Sequence, residues 1–170
     1  MDTNLDLQIS NLADHPKHFQ TVCTWVWEEW WRSEGSTMED MVYFTRHCLE
    51  KEEIPMTFVG LLEGKPVATA SLWRSDPFSR QDLTPWLAAM YVIPERRGRG
   101  IGTLMQHHVI GEARRLEYLS IYLMTDHTGY YEKAGWSFLE TAPLLNGKKT
   151  RLYRYNLSPQ DPNPSQQHRS

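Results

Sequence analysis

The chain has 170 residues, 40% of them hydrophobic and 23% charged, with a formal net charge of −3. That balance suits one globular domain and excludes a wholly disordered or collagen-like chain and the strongly basic footprint of a nucleic-acid binder. No run of about 18 apolar residues is present, so no membrane partner is expected. Met1-Asp2-Thr3-Asn4 lacks the basic patch and apolar core of a secretory signal. Cys23 and Cys48 are too few for a disulfide scaffold or a zinc site of their own, so they read as reduced, buried thiols of a cytoplasmic protein.

Residues 5–10 alternate apolar and polar as a half-buried strand does. Asp14 and Pro16 signal a helix start. Phe19, Val22, Cys23, Val26 and Trp30 then recur at helical spacing, predicting a helix to about Trp31 whose inner stripe is Val22–Val26–Trp30. Ser36 and Glu39 have capping-box spacing and predict a second helix to about Lys51. Residues 55–63 and 66–74, around Gly64-Lys65, read as a hairpin. The nearly unbroken apolar run 86–93 fits a central strand covered on both faces, stopped by Pro94. After a Gly-rich basic segment, Ile101, Leu104, Met105, His108, Val109 and Leu116 predict a helix. Residues 118–124 predict a strand, 130–134 a short helix, and 136–157, around Asn146-Gly147, a last hairpin. The fold class is α/β (α+β): a mixed, mostly antiparallel sheet flanked by helices in the order β-α-α-β-β-β-α-β-α-β-β. The domain is placed at 4–157. The segment 158–170 holds three prolines and no large apolar residue, and is expected to be a disordered tail.

The most informative stretch is Val92-Ile93-Pro94-Glu95-Arg96-Arg97-Gly98-Arg99-Gly100-Ile101-Gly102-Thr103. It joins a strand to a helix start. Glycines at alternate positions let successive amides turn inward. The first amides of the following helix have no intrahelical acceptor and sit at the positive end of its dipole. Such a loop suits a pyrophosphate. It is not a Walker loop, since no Gly-Lys-Ser/Thr follows, nor a dinucleotide fingerprint, since Thr103 stands where that pattern has its third glycine.

Arg97-x-x-Gly100-x-Gly102, after a strand ending in Val-x-Pro and before an amphipathic helix, resembles motif A of the GNAT superfamily of N-acetyltransferases. Tyr130-Tyr131-Glu132-Lys133-Ala134-Gly135-Trp136 is similar to that family's Phe/Tyr-Tyr-x-x-x-Gly-Phe/Trp segment. The resemblance extends along most of residues 4–157. It implies acetyl-CoA as co-substrate and no metal. The diphosphate would rest on the amides of Arg97, Gly98, Arg99, Gly100, Ile101, Gly102 and Thr103. The pantetheine arm would lie along Tyr91, Val92 and Ile93.

The resemblance further implies direct attack of an amine on the thioester. The Val92 amide would polarise the carbonyl, and Tyr131 would be the general acid toward the thiolate, with Tyr130 turned into the core. An ordinary packed tyrosine stands as the other reading of Tyr131. Relatives place a carboxylate on the strand before motif A, whereas 87–91 here holds none. Glu28, Glu29, Asp82, Asp126 and His127 are the remaining candidates, of which Asp126 is the one carried forward as base; Thr125 and Asp126 could equally cap the next helix. A water relay to a carbonyl would leave no trace in sequence.

The first two helices would line the acceptor cleft. There Trp27 and Trp31, four apart, share a helix face near Glu28 and Glu34, which suits a cationic amine; these tryptophans could also be plain core. His107 and His108 are adjacent, so they face different ways and are no metal pair. The activity implied is acetyl transfer to a small-molecule or peptide amine. The competing reading is a catalytically silent acyl-CoA-binding sensor. A homodimer stays open.

Overall fold

The computed structural model describes residues 5–157; the predicted tail 158–170 lies outside them. Strands β1 (Leu7–Asn11), β2 (Met56–Leu62), β3 (Lys65–Trp73), β4 (Trp86–Val92), β5 (Ser120–Thr125), β6 (Ser137–Pro143) and β7 (Lys149–Asn156) form one sheet in the order β1-β2-β3-β4-β5-β7-β6. Helices α1 (Phe19–Val26), α2 (Met38–Arg46), α3 (Ile101–Arg115) and α4 (Tyr130–Lys133) complete the predicted order. Every strand pair is antiparallel except β4 with β5, which run parallel and share a single partnered position, Trp86 with Tyr122. Beyond it the two strands diverge.

Alternation along the strands sends side chains to two cores. Phe58, Ala68, Ala70, Leu72, Leu87, Ile121 and Leu123 meet Met105, Val109 and Ala113 of α3. Gly60 permits that closeness, because a Cβ there would stand 3.0 Å from the Met105 sulfur. On the opposite face, Val59 and Leu61 meet Leu12 and Val22, while Cys23, Val26 and Met41 join α1 to α2. The run 86–93 begins as predicted: Trp86, Leu87 and Ala88 are buried on both faces of a central strand.

Two local expectations are corrected. The first helix does not stay α-helical to Trp31. From Trp27 to Trp31 it widens into a π turn, in which the Arg32 amide donates to the Trp27 carbonyl at 2.8 Å. A five-residue turn advances the inner stripe by one position, so Trp31 follows Val26 inward and Trp30 is exposed. The capping box is also one residue later than predicted. The Thr37 hydroxyl accepts from the Asp40 amide at 3.1 Å, and Asp40 Oδ2 accepts from the Thr37 amide at 2.8 Å. The helix it starts ends at Arg46, short of Lys51.

Thr37→Ala should lower unfolding free energy by ~1 kcal/mol, while Ser36→Ala should leave it within a few tenths. Urea titrations of the two variants check this, and the reverse ranking would restore the Ser36–Glu39 box.

Candidate functional site

The widest departure from regular pairing in the sheet is the wedge between β4 and β5. It opens C-terminal to Trp86, and a bulge in β4 helps to open it. Between the pairs Ser71–Ala88 and Thr69–Tyr91, Ala89 and Met90 together oppose Ala70. Ala89 has φ +48, a conformation costly for a side chain with Cβ, and such outliers gather at functional sites.

Hydrogen bonding sets which backbone groups face the wedge. The Ile93 amide donates to the Val67 carbonyl of β3 at 3.0 Å. In an antiparallel ladder the neighbouring residue turns its N–H and C=O the other way. Val92 therefore directs both toward β5, which has veered off. Arg97 folds back there: its Nε donates to the Val92 carbonyl at 2.8 Å, and its guanidinium lies over the Tyr91 ring at 5.4 Å. Tyr91 in turn packs on Trp25 of α1. The Val92 carbonyl is thus engaged and its amide aims at the gap.

The Gly-rich segment closes the far end of the wedge. Gly98 and Gly100 both take positive φ, +72 and +80, as the turn into α3 requires. Arg97, Gly98, Arg99 and Gly100 are exposed, while Ile101 anchors the helix in the core. No side chain caps this helix start. The first-turn amides, through Gly102 and Thr103, are those an anion would meet.

Two adjacent tyrosines on α4 have orientations opposite to those expected. Tyr131 is the buried ring, packed against Trp136 and Tyr153, and burial pushes its phenol up to about 12. Tyr130 is exposed, and its hydroxyl would stand 3.2 Å from a Cβ on Gly102. The buried Gln106 amide donates to that hydroxyl at 3.3 Å and accepts from the Trp136 indole at 3.1 Å. Helix α4 is held by Glu132, which accepts from the Gly129 amide at 2.7 Å and from the Tyr153 hydroxyl at 2.6 Å. Thr125 and Asp126 are not its caps. The Thr125 hydroxyl takes the His127 amide, and Asp126 and His127 lie exposed just past β5, on the α4 side.

The tryptophan-rich turn lies on the other face. Trp27 is half-buried, with its indole donating to the Ser36 carbonyl at 2.8 Å and Arg32 over its ring. Trp31 packs on Phe44 at 4.8 Å and joins Ala89 of the bulge. Glu28 and Glu29 are exposed. Glu34 accepts from Asn146 at 3.1 Å, so the α1–α2 loop touches the β6–β7 turn. Arg80 makes a second crossing, bonding Asp82 and Glu140 of β6, which commits Asp82 to an ion pair. Sequence reasoning missed Asp76, on the β3–β4 loop. Burial is the one cause acting on its carboxyl and pushes it up to about 7. A lone Asp in a Pro-containing loop carries no sequence signal for this.

Residues 19–136 match the model of the acetyltransferase (GNAT) family. The chain belongs to that family. It is an acyltransferase by that membership, and solved structures share its fold. An aminoglycoside 6'-N-acetyltransferase complexed with coenzyme A is similar at 16% identity and TM-score 0.71, over 91% of this chain and 99% of that one. The Enterococcus faecium aminoglycoside 6'-N-acetyltransferase is similar at 14% identity and TM-score 0.69, over the same shares. Ard1 from Thermoplasma volcanium is similar at 17% identity and TM-score 0.65, over 88% and 97%. No curated protein matches the sequence. Among the described residues of this acetyltransferase no helix is long and apolar enough to cross a membrane.

Asp76 carries a stability signature. Its carboxyl is harder to ionise in the fold than in the unfolded chain, where the pKa is about 4. Below that pH both states hold the proton; above it the unfolded chain releases it first, so stability falls as pH rises to about 7. Asp76→Asn should therefore raise Tm by about 2–4 °C near pH 8, with the gain vanishing near pH 4. Scanning calorimetry at the two pH values checks it; an equal shift at both would show that ionisation is not the cause.

Proposed function

We propose that the protein is an N-acetyltransferase that passes an acetyl group from acetyl-CoA to a primary amine by direct attack in a ternary complex, the acceptor being a small-molecule or peptide amine. The observation that carries this is the direction of the Val92 amide, opposite to that of Ile93 and so toward a wedge that ends on an uncapped helix start. The coenzyme A complex of a protein with the same fold supports the donor.

In this reading the pantetheine arm adds to β4 along Tyr91, Val92 and Ile93 as an extra strand would. The diphosphate settles on the amides from Arg97 to Thr103. Arg99, exposed and outside the Arg97–Val92 contact, adds positive charge. The amine nitrogen bonds to the thioester carbon while its proton leaves. The carbonyl oxygen gathers charge and takes the Val92 N–H, a fixed donor needing no rearrangement. The C–S bond then breaks, and the thiolate takes the Tyr131 proton. Burial keeps that phenol protonated throughout the working range. Tyr130, over Gly102, borders the donor instead.

For the base, the reading keeps Asp126, exposed just past the end of β5. Trp27 and Trp31 then shape the acceptor side, with Trp27 doing so by pinning Ser36.

Calorimetry with coenzyme A and a thiol-release assay with amines test the reading together. Binding and release are expected. Binding without release from any amine would favour the silent sensor, and no binding would overturn the acyl-CoA reading. Gly102→Ala should keep or raise stability, by up to ~1 kcal/mol from helix propensity, yet weaken coenzyme A binding about tenfold by crowding Tyr130; unchanged affinity would remove the diphosphate from this helix start. Tyr131→Phe should lower kcat about 100-fold with coenzyme A affinity kept. Asp126→Asn should lower kcat/KM about 100-fold, and unchanged kinetics would favour a water relay to a backbone carbonyl.

A further inference from the structure

We infer that Tyr130 is a donor-binding residue whose hydroxyl gives a hydrogen bond to the diphosphate of the acyl donor, and that the buried Gln106 is the positioning residue that turns it there. The inference rests on the acetyltransferase reading above and adds a side-chain hydrogen-bond donor to a diphosphate site that the reading builds from backbone amides and the charge of Arg99.

A glutamine is costly where Gln106 stands. It is 1% exposed on α3, one turn before the buried Val109 and Ile110. A buried amide destabilises a fold unless its polar atoms are hydrogen-bonded. Two partners settle which way this amide points. The Trp136 indole can donate but not accept, so it takes the Gln106 oxygen, at 3.1 Å. The amide nitrogen is left for the Tyr130 hydroxyl, at 3.3 Å, and an NH2 group can only donate. The Tyr130 oxygen is therefore the acceptor in that pair. Its own hydrogen is turned away from Gln106, and among the described residues it meets no acceptor.

Beside that hydroxyl lies the start of α3. Gly102 and Gln106 are four apart and share a helix face. A Cβ on Gly102 would stand 3.2 Å from the Tyr130 oxygen and 3.9 Å from Val92 Cγ2. The hydroxyl thus sits where α3, α4 and the end of β4 converge, next to the residue whose amide faces the wedge. Glycine lets the phenol rest against the helix backbone there. The ring is 46% exposed, so a ligand can reach it from outside. It stands beside the first-turn amides, which no side chain caps.

The groups gathered at this point are donors: the N–H groups of the first turn and the Tyr130 O–H. A diphosphate presents acceptor oxygens, and a hydrogen bond to an anionic oxygen is roughly twice as strong as one between neutral groups. A pantetheine amide presents a donor and an acceptor together, and is matched by a strand edge where both kinds of group recur. The phenol therefore belongs with the diphosphate, reaching it from α4 while the amides reach it from α3. A donor held in place beforehand loses little freedom on binding, and the Trp136–Gln106–Tyr130 chain holds this one.

Calorimetry and phosphorus NMR of the full chain with coenzyme A test this without turnover. Tyr130→Phe removes one oxygen from an exposed ring and leaves the fold in place. It should raise Kd about tenfold. At saturating coenzyme A it should also move the bound diphosphate resonances from their positions in the unaltered protein, with the ribose phosphate resonance unmoved. Gln106→Met should raise Kd about threefold, and no further in the Tyr130→Phe background, because both act through one hydroxyl. An unchanged Kd for Tyr130→Phe, or a raised Kd with the diphosphate resonances unmoved, overturns the contact while leaving the donor reading standing. An equal loss from Gln106→Met in both backgrounds overturns its positioning role. Failure of the unaltered protein to bind coenzyme A overturns the acyl-CoA reading, and this assignment with it.

Discussion

Everything at this site follows from β4 and β5 ceasing to pair after Trp86 and Tyr122. Two parallel strands in the middle of a sheet normally satisfy each other's backbone groups, and an unmet N–H there costs about as much as a lost hydrogen bond. The divergence creates that deficit by design of the fold, because each strand is fixed by a different neighbour. Strand β4 is held to β3 through its bulge, and β5 is held to β7 along its whole length. Neither can swing back to close the gap. The gap is then rimmed by elements that direct donors into it: the first turn of α3, and the amide of Val92, whose own carbonyl accepts from Arg97. An extended molecule bearing amides at one end and a diphosphate at the other complements this rim in both chemistry and order.

The sheet also separates two tasks. On the α3 side, Gly102, Tyr130, Gln106 and Trp136 form a connected polar path from the helix start into the core. On the α1–α2 side, aromatic rings from Trp31 through Phe44 to Trp73 pack in turn beside Ala88 and Ala89. The bulge lies where the two meet. A residue held at positive φ without being glycine stores strain of about 1 kcal/mol or more, and Ala89 keeps it because tight packing on Ala88, Trp31 and Phe44 leaves that backbone no alternative. The Glu34–Asn146 and Arg80–Glu140 contacts tie the last hairpin to the α1–α2 loop and to the β3–β4 loop. The hairpin is thereby positioned by two further segments, not only by β5.

Much of this was legible in the chain. Period-two and unbroken apolar runs locate the strands, and Arg97-x-x-Gly100-x-Gly102 locates the helix start, since a positive φ at Gly100 and an uncapped turn are written in residue type. What was not legible depended on contacts far apart in sequence or on a phase of one residue. Ser36–Glu39 and Thr37–Asp40 both have capping spacing, and the choice is made by Ser36 giving its carbonyl to the Trp27 indole. The same hydrogen bond accompanies the wide turn that moves Trp31 inward and Trp30 out. A helix of four residues has too little periodicity to say which of Tyr130 and Tyr131 turns inward; Trp136 and Tyr153 decide it. Asp76 looks like loop, and its protonation is set by what folds around it.

The packing around β4 gives a reason why residues 87–91 carry no carboxylate. A carboxylate on β4 near residue 88 would face Trp31, Phe44 and Trp73, and its ionised form would need a partner that this aromatic wall does not contain. On the loop after β3, where no partner charge acts on it, burial raises the Asp76 carboxyl to about 7. The aromatic wall at Ala88 and the raised carboxyl at Asp76 thus follow one rule, that burial penalises the charged form wherever no partner compensates it.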